Sequence, residues 1–344
     1  MFTGDIAGCG VYYSRFNRGF GIPYSFECSV YSGRVGDSYS GVVGYARSAA
    51  SLLGSLLGEE LHVSGLEGWE FIGRAFNLYS YTLSRGGGRA GQVRVVEKGG
   101  VVLGVYGVLL GDDWGLPERP GPVIARGEVP RLVFLEPEPL EELPGGQKVV
   151  SRNPIYAVEG IQGAGPGWRV SVEGLVERGL SLTLDELLRL ELERSGDPFH
   201  CVTGWTIKGR TWEGVRLSVL LEEARPGERA SWVAGVSSGG YASMFPISYA
   251  DDALLVLRVN GKPLRREEGA PVRLFVPPLY GWKHVKWLQR IVVLPGYEDG
   301  YWEALAYHER GLAGALERFK VRNLEIAESR KLPEGARMLR PPGA

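Results

Sequence analysis

FHCVTGWTIKGRTWEGV, residues 199–215, and APVRLFVPPLYGWKHVKWLQRI, residues 270–291, decide how this chain is read. The first run carries Cys201 just after a Gly196-Asp197-Pro198 turn, which places the thiol at a strand entrance or in a loop. The second sets Arg273, Lys283, His284 and Lys286 within fourteen residues, between apolar segments that ask for burial. Cations bordering a protected place suit an anion. An arginine fork with a lysine and backbone N–H groups is what a phosphate monoester requires. Each feature alone has a plainer reading: a free cysteine is most often a small buried hydrophobe, and strand-end charges are often only solvated. Around Cys201, however, His200, Thr203 and Trp205 make a mixed polar and aromatic setting that suits a ligand or nucleophile. A cysteine hydrolase would need a histidine base in reach. His200, as the adjacent residue of a strand, points to the opposite face.

Outward from these runs, residues 149–295 read as short strands with few helices. WRVSVEGLVE alternates as a half-buried strand, and SLTLDELLRLELE follows as a helix with a Thr183 and Glu186 capping box. ASWVAGVSS precedes a Gly239-Gly240 turn, and DALLVLRVNGKPL ends in an Asn260-Gly261 turn. VRLFVPP and KWLQRIVVLP complete the set. The pattern predicts a mixed α+β architecture, not an alternating βαβ one. Before it, residues 46–61 have helical potential, and QVRVVEKGGVVLGVYGVLL reads as two strands joined at Lys98-Gly99-Gly100. Residues 117–144 are rich in proline and read as an extended surface connector with a strand-like RLVFLE inside it. The expected organisation is an N-terminal region over 1–147, a second domain over 148–310, and a helical tail over 311–344 that frays at its end.

Composition narrows the function classes. Hydrophobic content of 44% and charged content of 23% are ordinary for a globular protein. A formal net charge of -1 argues against a general nucleic-acid binder. Three cysteines, Cys9, Cys28 and Cys201, make no disulfide framework; Cys9 and Cys28 could pair, though their spacing does not demand it. The opening MFTGDIAGCG lacks the basic region of an export signal, and residues 40–58 are interrupted by Arg47 and fall short of a spanning helix. A cytoplasmic protein without a membrane span is expected. GGGRAG at 86–91 satisfies a G-x-G-x-x-G pattern, but a strand follows where a phosphate-binding helix should begin. His62, His200, His284 and His308 show no metal-ligand spacing, and His308 reads as structural.

A soft thiolate and an anion clamp in one fold suggest a metal carried by a phosphorylated organic cofactor. PVR, then HVKW eleven residues beyond the arginine, resembles the pterin-phosphate segment of the sulfite oxidase family of molybdopterin enzymes. SRNPIYAVEG resembles that family's opening RN segment, and HCVTGW…WEGV, GAPVRL, YGWK and YWE…YH resemble its bacterial and archaeal branch. The match runs over roughly residues 149–310, with the pieces in the right order. The resemblance implies a sulfite-oxidase-like fold and a molybdenum centre held by one molybdopterin. Cys201 would be the protein's thiolate to the metal. Arg273, His284, Val285 and Lys286 would hold the cofactor phosphate with Lys283 nearby, and Asn153 would lie against the pterin.

Departures from the family pattern bear on the substrate. Sulfite oxidases follow the ligand cysteine with an asparagine and arginines that bind the anion, whereas here Val202, Thr203, Gly204, Trp205 and Thr206 follow. Arg152 matches one substrate arginine, and the second is missing. Glu268 stands five residues before the clamp arginine, where a carboxylate would repel phosphate unless turned away. Arg152, Trp205 and Tyr241 are the candidates for the substrate pocket. The implied activity is two-electron oxygen-atom transfer to or from a small oxyanion, S-oxide or N-oxide, with a separate electron-transfer partner. A sulfite oxidase type is the main expectation, S-oxide or N-oxide reduction the alternative, and a non-catalytic molybdopterin-binding module a third.

Overall fold

The computed structural model describes residues 5–36, 38–129, 132–137, 143–151, 154–334 and 337–343. The chain divides into two compact units that are discontinuous in sequence. One comprises Met1–Pro137, Trp302–His308 and Glu317–Ala344, and the other Glu138–Tyr301 and Glu309–Leu316. The cuts expected near 147 and 310 were linear, whereas the units exchange chain between 301 and 317.

In the first unit the strands are β1 (Ile6–Tyr13), β2 (Tyr24–Val30), β3 (Leu61–Ile72), β4 (Phe76–Arg85), β5 (Gly88–Lys98), β6 (Val101–Leu109) and β7 (Gly121–Gly127), with helix α1 (Tyr39–Leu57) between β2 and β3. They form one antiparallel sheet in the order β3-β4-β5-β6-β2-β1-β7. Small residues on α1 let it lie close to the sheet, burying Val42, Tyr45, Ala46, Ala49, Ala50 and Leu53 at helical spacing. No helix of the described residues is long and apolar enough to cross a membrane. β7 corrects the reading of residues 117–144 as connector alone, because its backbone pairs with β1 and forms the sheet edge. Residues 132–136, expected as strand, form none. Cys9 and Cys28 lie directly opposite on β1 and β2, and that register brings their thiols together as a disulfide. The sequence had left this pairing open, since a register is not visible in a spacing. His308 is buried in this unit, bonded to the Val133 carbonyl and facing Glu317, which makes it structural.

The second unit contains β8 (Lys148–Val149), β9 (Arg169–Gly174), β10 (Leu180–Thr183), α2 (Leu184–Leu188), β11 (Glu193–Ser195), β12 (Phe199–Cys201), β13 (Trp205–Ile207), β14 (Trp212–Arg216), α3 (Leu217–Ala224), β15 (Trp232–Ser237), β16 (Ala242–Pro246), β17 (Leu254–Val259), β18 (Lys262–Pro263), β19 (Arg273–Phe275) and β20 (Leu288–Leu294). Of the two remaining short helices, α4 (Tyr301–Ala304) belongs to the first unit from Trp302 on, and α5 (Leu324–Ser329) belongs to it entirely. The strands make a mixed sheet β10-β9-β20-β15-β16, an antiparallel sheet β11-β14-β17-β18 with β19 on β17, and a small sheet β12-β13-β8. This is the expected α+β class. The capping box forms as read, Thr183 Oγ1 accepting from the Glu186 N–H while the Glu186 carboxylate accepts from the Thr183 N–H.

Candidate functional site

β12 and β13 form a tight hairpin in which Cys201 pairs with Trp205 across Val202, Thr203 and Gly204. Gly204 has φ +108 and donates to the Cys201 carbonyl, a conformation that a side chain would strain. Gln147 donates to the same carbonyl, so the backbone of the thiol residue is held on two sides. The Cys201 thiol is half-buried and lies 3.2 Å from the Thr203 hydroxyl. Strand alternation sends His200 to the other face, where its ring meets Thr206 Oγ1 at 2.9 Å. The same alternation puts Phe199 on the face of Cys201, and Trp205 stacks on Phe199 with ring centroids 5.5 Å apart.

Phe199 is the residue that joins the two motifs. Its ring is met edge-on by His284 at 5.0 Å and lies 5.8 Å from the Arg273 guanidinium. Gly281, at the start of a 3-10 turn over Gly281–Lys283, lies so close that a Cβ there would be 2.4 Å from the Phe199 ring. The cysteine strand and the basic run are therefore packed against each other through a side chain that only a glycine admits. Backbone bonds zip the basic run together, with Leu274 N–H donating to the Val285 carbonyl and Leu288 N–H to that of Val272. That pairing brings Arg273 beside His284 and Lys286. Val285 itself is fully buried, and its contribution here is that backbone bond.

The electrostatics of this cluster are unusual. Arg273 is 2% exposed, yet among the described residues no carboxylate lies within ion-pair distance of it; it donates to the Glu268 carbonyl, and its Nε has no hydrogen-bond partner among those residues. Burial, then the charge of Arg210, pulls its pKa down to about 10. Lys286 donates to the Tyr156 carbonyl, and burial followed by the Arg273 charge lowers it to about 8. His284 is lowered to about 3 by burial and by Arg273, so it is neutral. Its Nε2 faces the Val276 carbonyl and must donate to it, which leaves buried Nδ1 as an acceptor without a partner. His284 is thus a neutral acceptor beside Arg273, not the cation that the sequence suggested. Glu268 is turned away as its position required. Burial alone would raise it, but hydrogen bonds from Arg265 and the charges of Arg265 and Arg210 hold it below the usual carboxylate range.

Other expected site residues take different places. The Lys283 ammonium is fully buried and donates to the carbonyls of Met244 and Glu309, a bracing role that replaces the one expected beside the phosphate. Tyr241 donates its hydroxyl to the Trp282 carbonyl, so it steadies the 3-10 turn where a pocket wall was expected. Arg152 and Asn153 lie outside the described residues. Arg210 was missed by sequence reading. It lies in the turn between β13 and β14, and no motif marks it. Beside the clamp, Gly163, Ala164, Gly165, Arg266, Ala270 and Pro271 line an open cavity of about 570 Å³.

These residues fit a phosphorylated, metal-bearing cofactor. A buried guanidinium without a counter-charge, a lysine of lowered pKa and an unpartnered imidazole acceptor suit an anion and its polar attachments. Among the described residues no three His, Cys, Asp or Glu side chains gather as a metal site.

Comparison with known proteins agrees. Residues 158–302 match the family model described as the oxidoreductase molybdopterin binding domain. The chain is 34% identical over 154 residues to the "Uncharacterized oxidoreductase YuiH" of Bacillus subtilis, covering 44% of this chain and 78% of that protein. The chain belongs to the oxidoreductase molybdopterin-binding family. It is an oxidoreductase of the kind that binds the molybdopterin form of the molybdenum cofactor. It is also 33% identical over 162 residues to the protein-methionine-sulfoxide reductase catalytic subunit MsrP of Xanthomonas campestris, covering 42% of this chain and 50% of that protein. The chain thus spans about half the length of this relative. Sulfane dehydrogenase SoxCD from Paracoccus pantotrophus aligns at TM-score 0.35 and 28% identity over 39% of each chain, a likeness too slight to bear on the fold.

Proposed function

We propose that this molybdopterin-binding oxidoreductase reduces a neutral S-oxide, with Cys201 as the protein's thiolate to molybdenum and Arg273, His284 and Lys286 at the cofactor phosphate. When bound, the cofactor supplies two-electron oxygen-atom transfer. The chain's own residues position it: the hairpin fixes the thiolate, Arg273 and Lys286 neutralise the phosphate, and His284 Nδ1 accepts a proton-bearing group of the cofactor. The observation that carries the direction is the Trp205–Phe199 stack beside Cys201 and Thr203. An aromatic wall at the thiolate favours a neutral, polarisable substrate over a small dianion, which needs cations close by. The name of the MsrP relatives, a methionine-sulfoxide reductase catalytic subunit, supports the same direction. A separate electron-transfer partner is proposed to supply the electrons. The Cys9–Cys28 disulfide fits an oxidising compartment better than the cytoplasm expected from the opening residues.

The test uses protein made in a host that synthesises molybdopterin. Reduced viologen dye is followed with methionine sulfoxide, dimethyl sulfoxide and trimethylamine N-oxide, and sulfite oxidation is followed with ferricyanide. S-oxide turnover well above sulfite turnover is expected, and lost in Cys201→Ser. Sulfite oxidation faster than S-oxide reduction would overturn the proposed direction.

A further inference from the structure

We propose that Arg210 is a second guanidinium of the phosphate clamp, meeting the cofactor's phosphate together with Arg273 and Lys286. The proposal deepens the reading above and rests on the clamp holding that phosphate. Arg210 and Arg273 both place their guanidinium groups over the indole of Trp212, at 5.7 and 5.5 Å from the ring centroid. Two like charges sharing one buried ring repel each other unless an anion lies between or beside them. Burial first, and then the Arg210 charge, lowers the pKa of Arg273, while Glu268 acts the other way.

Glu268 pairs with Arg210 and offsets part of that repulsion, but its carboxylate accepts no hydrogen bond from either of the two. Its carboxylate accepts from Arg265 Nε and Nη2 at 3.1 and 3.2 Å, while Arg210 Nη1 is 3.6 Å away, too far for a hydrogen bond. Arg210 Nη1 is buried and has no hydrogen-bond partner, as is Arg273 Nε. Two guanidinium donors are thus without acceptors near one ring. The same loop brings Lys286 close, since Trp287, the next residue, donates its backbone N–H to the Gly269 carbonyl and its indole N–H to that of Arg266. A phosphate monoester carries up to two negative charges and three oxygens that accept hydrogen bonds. Arg273 and Lys286 alone would balance the charge. Arg210 supplies the donor for the remaining oxygen and offsets Glu268.

The experiment reads cofactor retention, not turnover. Parent, Arg210→Ala, Arg210→Gln, Lys286→Ala and Glu268→Gln are purified from a host that makes molybdopterin. The pterin kept per folded protein is followed during dialysis, as its fluorescent oxidation product, and melting of the cofactor-free protein checks folding. About tenfold faster pterin loss is expected for Arg210→Ala and Arg210→Gln, with melting close to the parent, as for one charge-assisted phosphate contact. Glu268→Gln separates a direct role from a structural one. It slows pterin loss if Arg210 faces the phosphate. If the Arg210–Glu268 pair only shapes the turn, Glu268→Gln speeds the loss as Arg210→Ala does, and the proposal is overturned. Parent-like retention in both Arg210 variants, with loss in Lys286→Ala, overturns Arg210 while sparing the clamp. Parent-like retention in the Lys286 variant as well overturns the clamp reading and Arg210 with it.

Discussion

Each unit of this molecule buries charge, and the two do so in opposite ways. In the N-terminal unit Glu27 is 5% exposed and is met by Lys320 and Arg322, the latter at 2.7 Å, so each of these charges has a counter-charge inside the fold. In the second unit Arg273 is as deeply buried, but no carboxylate of the described residues comes within ion-pair distance. A buried charge with its partner in the chain is a structural element. One without a partner is where we propose that the cofactor's phosphate completes the set.

The strongest way to break this contrast is a pair of substitutions. Glu27→Gln leaves two buried cations without their anion and is expected to cost about 3–5 kcal/mol in urea unfolding, without changing pterin per folded protein. Arg273→Met removes an uncompensated cation. It is expected to leave the cofactor-free protein within about 1 kcal/mol of the parent, or more stable, while pterin is lost. Equal destabilisation by both substitutions would dissolve the contrast.

Packing gives a smaller test. Gly281→Ala drives a methyl into the Phe199 ring and should cost about 1–3 kcal/mol as an overpacked core does, again by urea unfolding. Because Phe199 links the cysteine strand to the clamp, cofactor retention should fall with it. Retention at the parent's level would show that the two motifs hold their places independently.

The smallest effect is in pH. Lys286 is lowered to about 8, so in the free protein it is charged below that pH and increasingly neutral above it. An anion in the clamp favours the charged form. Sulfate, which keeps its charge throughout, should therefore bind the cofactor-free protein evenly below pH 8 and weaken by up to about tenfold per unit above it. Calorimetric titration measures this, and Lys286→Met should flatten the profile. An unchanged affinity from pH 7 to 10 would remove Lys286 from the clamp.

Much of the fold was legible in sequence because its signals are local. Alternating strands, the Thr183 capping box and the turns at Asn260-Gly261 and Lys98-Gly99-Gly100 each depend on neighbours a few residues apart. The order of the motifs likewise identified Cys201, Arg273, His284 and Lys286 as one group. What failed were inferences about where side chains point. Lys283 and Lys286 are three residues apart and chemically alike, yet one ammonium faces the Met244 and Glu309 carbonyls and the other that of Tyr156.

The sequence by itself determined the family, the α+β class, the thiol and the basic run, because residue types and spacings specify chemistry and period. Only the tertiary structure decided which cation lacks a counter-charge, that His284 is a neutral acceptor, and that Arg210 shares an indole with Arg273. Those are properties of burial and of neighbours distant in the chain: Phe199, Trp212 and Glu268 set the field at Arg273, and no local pattern records their approach. The Cys9–Cys28 pairing was decided the same way, by a strand register that exists only once β1 and β2 have met.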